Sequence, residues 1–153
     1  MEFGATANQQ AEGQALFAMD VGTPEALKKL QDVLDRAGTA NKTLALGLLE
    51  KRGDAEALKT MLTYVKGAQV DPGSRSQALT GYCRKADTKQ GSELTMWFPV
   101  AGAAIQSEIL NAVGQSGNSA FLPWVSSLSG PQAKRAQDLL QMAENRRKVG
   151  LKP

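Results

Sequence analysis

Histidine is absent from this chain of 153 residues, and cysteine occurs once. Histidine is the commonest general base and the commonest metal ligand, so its absence removes the usual centre of acid–base and metal chemistry. The single cysteine, Cys83, allows no internal disulfide and no cysteine-based zinc site, and its place beside Tyr82 favours a small buried hydrophobic residue over a reactive thiol. The carboxylates are scattered and form no evident acid–base pair. The sequence therefore predicts a protein that is not an enzyme and that uses no cofactor or metal.

Aromatic residues and long apolar runs are also scarce. Aromatics make up 5% of the chain, and no apolar run approaches the roughly 18–20 residues that cross a bilayer. Plentiful Ala, Leu, Gly, Gln and Ser favour helices packed through small-residue faces over a β-sandwich. The net charge of +3 is a mild basic excess, well short of a dedicated polyanion binder. We therefore expect an all-α protein without a membrane span.

The start of the chain has neither the charged region nor the apolar region of a signal peptide. Residues 1–8 are expected to be disordered or to derive from cloning, residues 9–148 to form a single domain, and residues 149–153 to form a tail. The first residues of the chain are rich in Gln and Ala and resemble the starts of mature periplasmic proteins. We therefore expect a periplasmic or exported protein if a signal peptide was removed, and otherwise a cytoplasmic one.

What the sequence has in abundance is helical periodicity interrupted by Gly, Pro and Asn. In residues 104–143 a first amphipathic helix is expected to stop at Gly114 and Gly117, Asn118 can cap a second helix, and Gly130-Pro131 separates the second from a third. The third helix is predicted at 131–148. Further helices are predicted at residues 9–20, from the Thr23 cap to Gly38, at 39–52, from the Asp54 cap to Gly67, and at 74–85. A polar turn is predicted at residues 87–91, and a short or distorted helix at 94–100, where Pro99 interrupts the apolar run.

The turns recur at a nearly constant interval. Gly22-Thr23, Gly53-Asp54, Ala86-Asp87 and Gly117-Asn118 are separated by 31, 33 and 31 residues. Each turn lies between two apolar helices, so the interval is an internal repeat of helical hairpins. A single hairpin leaves one apolar face uncovered, and stacked neighbours would cover it.

The second helices of these units, residues 74–87 and 105–118, resemble the HEAT repeat, in the short form found in phycobilisome-lyase-type proteins. Pro123 also lies where the first helix of a HEAT unit often has its proline. Ser74, Ala86 and Gln106 depart from the usual aliphatic residue, glycine and arginine of the motif. The resemblance covers residues 22–143 and implies a right-handed α-α superhelix, a short α-solenoid of about four hairpins.

The resemblance also implies a binding surface on the inner row of second helices, with Lys42, Arg75 and Gln106 at equivalent positions. The alternative for Arg75 is structural, since pairing with an acid such as Asp71 or Asp87 would hold adjacent repeats in register. The same alternative applies to Lys42.

Four aromatic residues are expected to cluster in the first helices of the third and fourth units: Trp97, Phe98, Phe121 and Trp124. They can form a hydrophobic core between repeats. If Trp97 and Trp124 are instead exposed, they are natural partner contacts, because Trp is enriched among interface hot spots. The basic run Arg146-Arg147-Lys148 fits a solvated last turn of a helix, or else a docking site for an anion.

The function expected from these features is a non-enzymatic protein–protein interaction module. It would act as an adaptor or assembly factor of a larger bacterial complex, be monomeric alone, and bind a segment of a protein partner through Lys42, Arg75, Gln106, Trp97 and Trp124. The alternative is a nucleic-acid-binding HEAT-like protein with a basic concave face, which the modest charge excess disfavours. A chromophore lyase, which the resemblance could also suggest, would need chemistry that the chain does not show.

Overall fold

The computed structural model describes residues 7–36, 39–67 and 70–150. These residues are helical or lie in turns, with no strand in those ranges, which confirms the all-α class. The predicted terminal segments 1–8 and 149–153 lie in part outside the described residues. The α-helices of the described ranges are α1 Ala7–Ala18, α2 Pro24–Arg36, α3 Thr39–Arg52, α4 Ala55–Val65, α5 Pro72–Lys85, α6 Thr88–Trp97, α7 Ala103–Ser116, α8 Leu122–Ser126 and α9 Pro131–Lys148, with 3₁₀ turns at Phe98–Val100 and Ser119–Phe121.

The chain forms two compact units, residues 1–78 and residues 79–153. The division falls inside α5. The prediction of one domain over residues 9–148 stays a prediction.

In the first unit, α3 packs against α1, α2 and α4. The two predicted caps are confirmed: the Thr23 hydroxyl accepts from the Ala26 amide at 3.1 Å, and the Asp54 carboxylate accepts from the Ala57 amide at 2.9 Å. Each cap satisfies an amide that the first turn of a helix would otherwise leave unpaired. The fully buried apolar side chains of this unit include Leu16, Leu30, Val33, Leu46, Leu49, Leu58, Met61 and Val65.

In the second unit, α9 packs against α7, α8 and the 3₁₀ turn Ser119–Phe121. The predicted cap Asn118 is confirmed, because its side-chain oxygen accepts from the Ala120 amide at 3.1 Å. The predicted second helix of this region is shorter than expected, since the 3₁₀ turn precedes the five-residue α8. The core of the unit includes Tyr82, Leu94, Ile109, Val113, Phe121, Val125 and Leu140.

The predicted helix stop at Gly114 is wrong, because α7 continues to Ser116. Gly117, with φ of +65°, is the residue that ends it, as is usual for a left-handed position after a helix. Gly114 is instead buried against α9, where a β-carbon would lie only 3.2 Å from the Cα of Ala136. It therefore permits a close approach of the two helices.

The predicted polar turn at residues 87–91 is wrong, because α6 begins there. Asp87 accepts from the Gln90 amide at 3.0 Å, and the Gln90 side chain accepts from the Asp87 amide at 2.9 Å, which is a reciprocal capping box. The box starts the helix without help from burial, since Leu94 is the one buried residue of α6.

Side-chain donors join turns that lie about one predicted repeat apart. We call these contacts the turn joins. The Arg52 guanidinium donates to the carbonyls of Val21 at 3.0 Å and Thr23 at 2.6 Å. Two further joins follow in the second unit: the Asn118 amide donates to the carbonyls of Cys83 and Ala86 at 2.8 and 3.0 Å, and the Arg147 guanidinium donates to the carbonyl of Gly117 at 2.8 Å. These pairs are 29 to 35 residues apart in sequence, close to the interval between the turns.

Candidate partner-binding surface

Two of the predicted partner-binding residues, Lys42 on α3 and Arg75 on α5, lie in the first unit and are half-buried. The Arg75 guanidinium donates to the carbonyl of Val70 at 3.5 Å. The Ser74 amide, which donates to Asp71 at 3.0 Å, is the main cause of a lowered pKa of Asp71, and the positive charge of Lys42 adds to it. Arg75 therefore contacts the connection that precedes α5, and the charge of Lys42 acts on Asp71 in the same connection.

Lys42 also lines a groove of about 750 Å³ in the first unit. Its walls are α2 and α4, and its volume falls within the range of small-molecule sites, about 300–1,000 Å³. The charged residues of the groove are Asp35, Lys42, Glu56 and Lys59. Two acids and two bases give no net charge, so the groove shows no preference for an anion or a cation.

The other three predicted residues, Trp97, Gln106 and Trp124, lie in the second unit. Trp97 is the last residue of α6, and the chain then turns through Phe98–Val100, where Pro99 cannot donate the hydrogen bond that would continue an α-helix. At this bend Met96 is 77% exposed and Val100 80% exposed. We call Met96, Trp97, Phe98, Val100 and Trp124 the aromatic corner.

The aromatic corner is held in place by ring contacts and one polar contact. The rings of Phe98 and Trp124 meet edge to face with centroids 5.2 Å apart and planes at 86°. The Trp124 ring also lies 6.4 Å from that of Phe121, which is buried in the unit. The Gln106 side-chain amide donates to the carbonyl of Phe98 at 2.8 Å. Phe98 and Trp124, held in this way, lose little side-chain entropy when a partner binds.

The aromatic cluster is partly buried and partly accessible. Phe121 is buried and Trp124 packs against it, as expected for a core. Trp97, Phe98 and Trp124 nevertheless keep part of their surface accessible. Gln106 supports the bend through the Phe98 carbonyl, so its side-chain amide stabilises the aromatic corner from within the unit.

The segment that contains the aromatic corner is almost free of charge. Residues 94–133 include one charged side chain, Glu108, whereas the whole chain has 18 basic and 15 acidic residues. Protein interfaces are depleted of charge at their centre and enriched in aromatic residues and Met. A count of charges along the chain reveals this feature from the sequence alone. The exposure of Met96 and Val100 had no signal in the sequence.

The basic residues at the end of α9 are partly engaged within the unit. Besides its turn join, Arg147 donates to the Ser119 hydroxyl at 3.0 Å and pairs with Glu144 at 3.2 Å. Arg146 and Lys148 are exposed. One of the three cations of the predicted anion site is therefore used for packing.

Cys83 is buried, and burial raises the pKa of its thiol. Within the described ranges no three His, Cys, Asp or Glu side chains are grouped as metal ligands would be. No helix among the same residues is long and apolar enough to cross a membrane.

No protein-family model, no curated protein and no solved structure matches this chain.

Proposed function

We propose that this chain is a non-enzymatic protein-binding module that recruits a segment of a protein partner through the aromatic corner. The observation that carries the proposal is the exposure of Met96 and Val100, at 77% and 80%, on a segment with the partly accessible aromatic residues Trp97 and Phe98. Apolar side chains gathered at one place on a surface mark interaction sites, whereas single exposed ones are ordinary. The near absence of charge in residues 94–133 supports the same function.

We further propose that the helices form a HEAT-like α-solenoid. The turn joins support it, because each one spans 29 to 35 residues while the turns recur every 31 to 33. In an array of stacked hairpins, equivalent turns of neighbouring units lie side by side, and contacts between them repeat with the period of the array. The adaptor or assembly role, the monomeric state and the export of the protein stay predictions from the sequence.

Nucleic-acid binding is the second function expected from the sequence, and no structural observation favours it. The aromatic corner contains no cation. Two of the arginines, Arg52 and Arg147, donate to backbone carbonyls within their own units.

A matched pair of double variants tests the proposed function. Met96→Ser/Val100→Ser removes the exposed apolar side chains of the aromatic corner. Met142→Ser/Val149→Ser makes the same chemical change on α9 and the residue after it, where the side chains are 51% and 71% exposed. A photo-reactive phenylalanine analogue at position 96 or at position 142 then reports, in living cells of the source organism, which proteins lie within bonding distance of each site.

We expect a defined cross-linked protein from position 96 and none from position 142. Purified, that protein should bind the wild type and the Met142→Ser/Val149→Ser variant equally. It should bind the Met96→Ser/Val100→Ser variant at least about tenfold more weakly, the effect of losing hot-spot side chains. Equal binding by both variants would exclude the aromatic corner as the site.

A further inference from the structure

A small pocket adjoins the aromatic corner and lies entirely within the second unit. Its volume is about 130 Å³. One wall is a single face of α6, formed by Thr88, Gly91, Ser92 and Thr95 at helical spacing. The opposite wall is formed by Ala120, Phe121 and Trp124. We call this space the Phe121 pocket.

The pocket exists because residue 91 has no side chain. A β-carbon at Gly91 would lie 3.5 and 3.6 Å from two carbons of the Phe121 ring, so any longer side chain would enter the space. The result is a cleft with an aromatic wall and a rim of three hydroxyl groups, from Thr88, Ser92 and Thr95.

The volume indicates what the pocket can hold. Small-molecule and cofactor sites generally measure about 300–1,000 Å³, whereas a dry cavity of about 150 Å³ holds one benzene molecule. At about 130 Å³, the Phe121 pocket fits a single aliphatic side chain. It therefore suits the side chain of a partner segment, with the rest of that segment lying across the surface.

Trp124 belongs to the Phe121 pocket and to the aromatic corner, and Thr95 precedes Met96 in the chain. A side chain that enters the pocket thus brings its neighbours onto the corner. An apolar side chain in a pocket, surrounded by contacts that exclude water, is the arrangement found at the centre of energetic hot spots.

The only charged residue that lines the pocket is Asp87. One carboxylate oxygen accepts from the Gln90 amide at 3.0 Å to cap α6. Within residues 70–150 the other oxygen makes no hydrogen bond or ion pair. Among the residues that line the pocket, this carboxylate is the one charged group, and it favours a cation at its end of the pocket.

We propose that the occupant is an amphipathic helix of a protein partner, with a Leu, Ile or Met side chain in the Phe121 pocket and a Lys or Arg one helical turn away that pairs with Asp87. A helix is chosen because the described residues offer no strand edge for an added strand, and residues three or four apart share one face of a helix. This inference rests on the proposed protein-binding function and specifies the chemistry of the partner.

A displayed library of helical 14-residue peptides, randomised on one face, is the probe. Selection on the full chain is expected to enrich peptides with Leu, Ile or Met three or four residues from Lys or Arg. Binding of an enriched peptide is then measured by fluorescence polarisation against four variants: Ala120→Leu and Ser92→Leu, which fill the pocket from opposite walls, Asp87→Asn, and Lys89→Gln as a charge control on α6 outside the pocket.

Each pocket-filling variant should weaken binding at least about tenfold, the loss of a buried hot-spot contact. Asp87→Asn keeps the helix cap, because Asn caps as well as Asp, and should weaken binding about two- to fivefold, the effect of one exposed ion pair. The same variant should abolish the preference for Lys over Gln in the peptide. Lys89→Gln should change nothing.

Enriched peptides without the paired residues, or binding unaffected by both pocket-filling variants, would overturn the inference. If Met96→Ser/Val100→Ser still abolished binding in that case, the aromatic corner would stand as the site and the pocket alone would fail. Dimers of the chain in light scattering that Ala120→Leu dissociates would identify a second copy as the occupant and would also overturn it.

Discussion

The contact between α7 and α9 gives a prediction whose sign depends on tenths of an ångström. Gly→Ala inside a helix normally stabilises by about 0.8–1.0 kcal/mol, because Ala has the better helix propensity. At position 114 the new β-carbon would lie 3.0 Å from Leu139 Cδ1 and 3.2 Å from Ala136 Cα, whereas carbon atoms pack best at about 3.5–4.0 Å. The leucine methyl can rotate aside, but the Cα of Ala136 moves only with α9.

We therefore expect Gly114→Ala to destabilise the second unit by about 1 kcal/mol. Forcing an extra carbon into a packed contact costs about 1–3 kcal/mol, and the gain in propensity of about 1 kcal/mol offsets part of it. Gly91→Ala is the matched control in the same unit. Its β-carbon would meet Phe121 at an ordinary 3.5 Å, so we expect stabilisation by about 0.5–1 kcal/mol.

Urea unfolding followed by tryptophan fluorescence measures both variants. Trp97 and Trp124 are the two tryptophans of the chain, and both lie in the second unit, so the signal reports on that unit alone. For a unit of this size, 1 kcal/mol corresponds to about 4–8 °C in Tm. Equal stabilisation by Gly114→Ala and Gly91→Ala would refute the close approach of α7 to α9.

Three further predictions concern single side chains. Arg52→Ala removes the turn join to Val21 and Thr23, and should lower the free energy of unfolding of the first unit by about 1–3 kcal/mol. Arg52→Lys should not restore it, because Lys lacks the planar fork of donors. Circular dichroism in urea measures both variants. Asp87→Ala should cost about 1 kcal/mol and Asp87→Asn almost nothing, because only Asn retains the cap, and equal losses in Tm would contradict the capping box. Cys83 should react with a thiol reagent at pH 8 only as fast as the protein opens. Because its native pKa is raised, stability should also fall between pH about 8.5, the pKa of a free thiol, and pH about 10, above which the buried Tyr82, whose pKa is also raised, adds to the decline. A Cys83→Ala variant should lack the decline between those two pH values.

The helix boundaries with strong local signals could be predicted from the sequence. The structure places α3 at Thr39–Arg52 and α9 at Pro131–Lys148, the predicted ranges. Gly53 follows the end of α3, and Gly130-Pro131 marks the start of α9. The effects of these residues on the backbone are local. The start of α6 was missed because residues 88–93 contain no large apolar residue, although the Asp87 and Gln90 pair was a readable cap.

Other features depend on contacts that no local pattern encodes. A glycine such as Gly114 is a usual signal for the end of a helix. Only the close approach of α9 shows that this glycine makes room for helix packing. The candidate site was half predicted: Trp97 and Trp124 were named, while Met96 and Val100 were not, because exposure follows from how the bend after α6 is oriented. Gln106 was named for a partner, and the structure shows its amide bonded to the Phe98 carbonyl.

The acceptor in every turn join is a main-chain carbonyl oxygen, and this affects which changes of sequence the turns can tolerate. Every residue type supplies that oxygen, so the residue that accepts from Arg52, Asn118 or Arg147 can be exchanged without removing the acceptor. Inserting or deleting a residue in the same turn would instead shift the oxygen out of reach. We therefore expect these turns to tolerate substitutions and to resist changes of length.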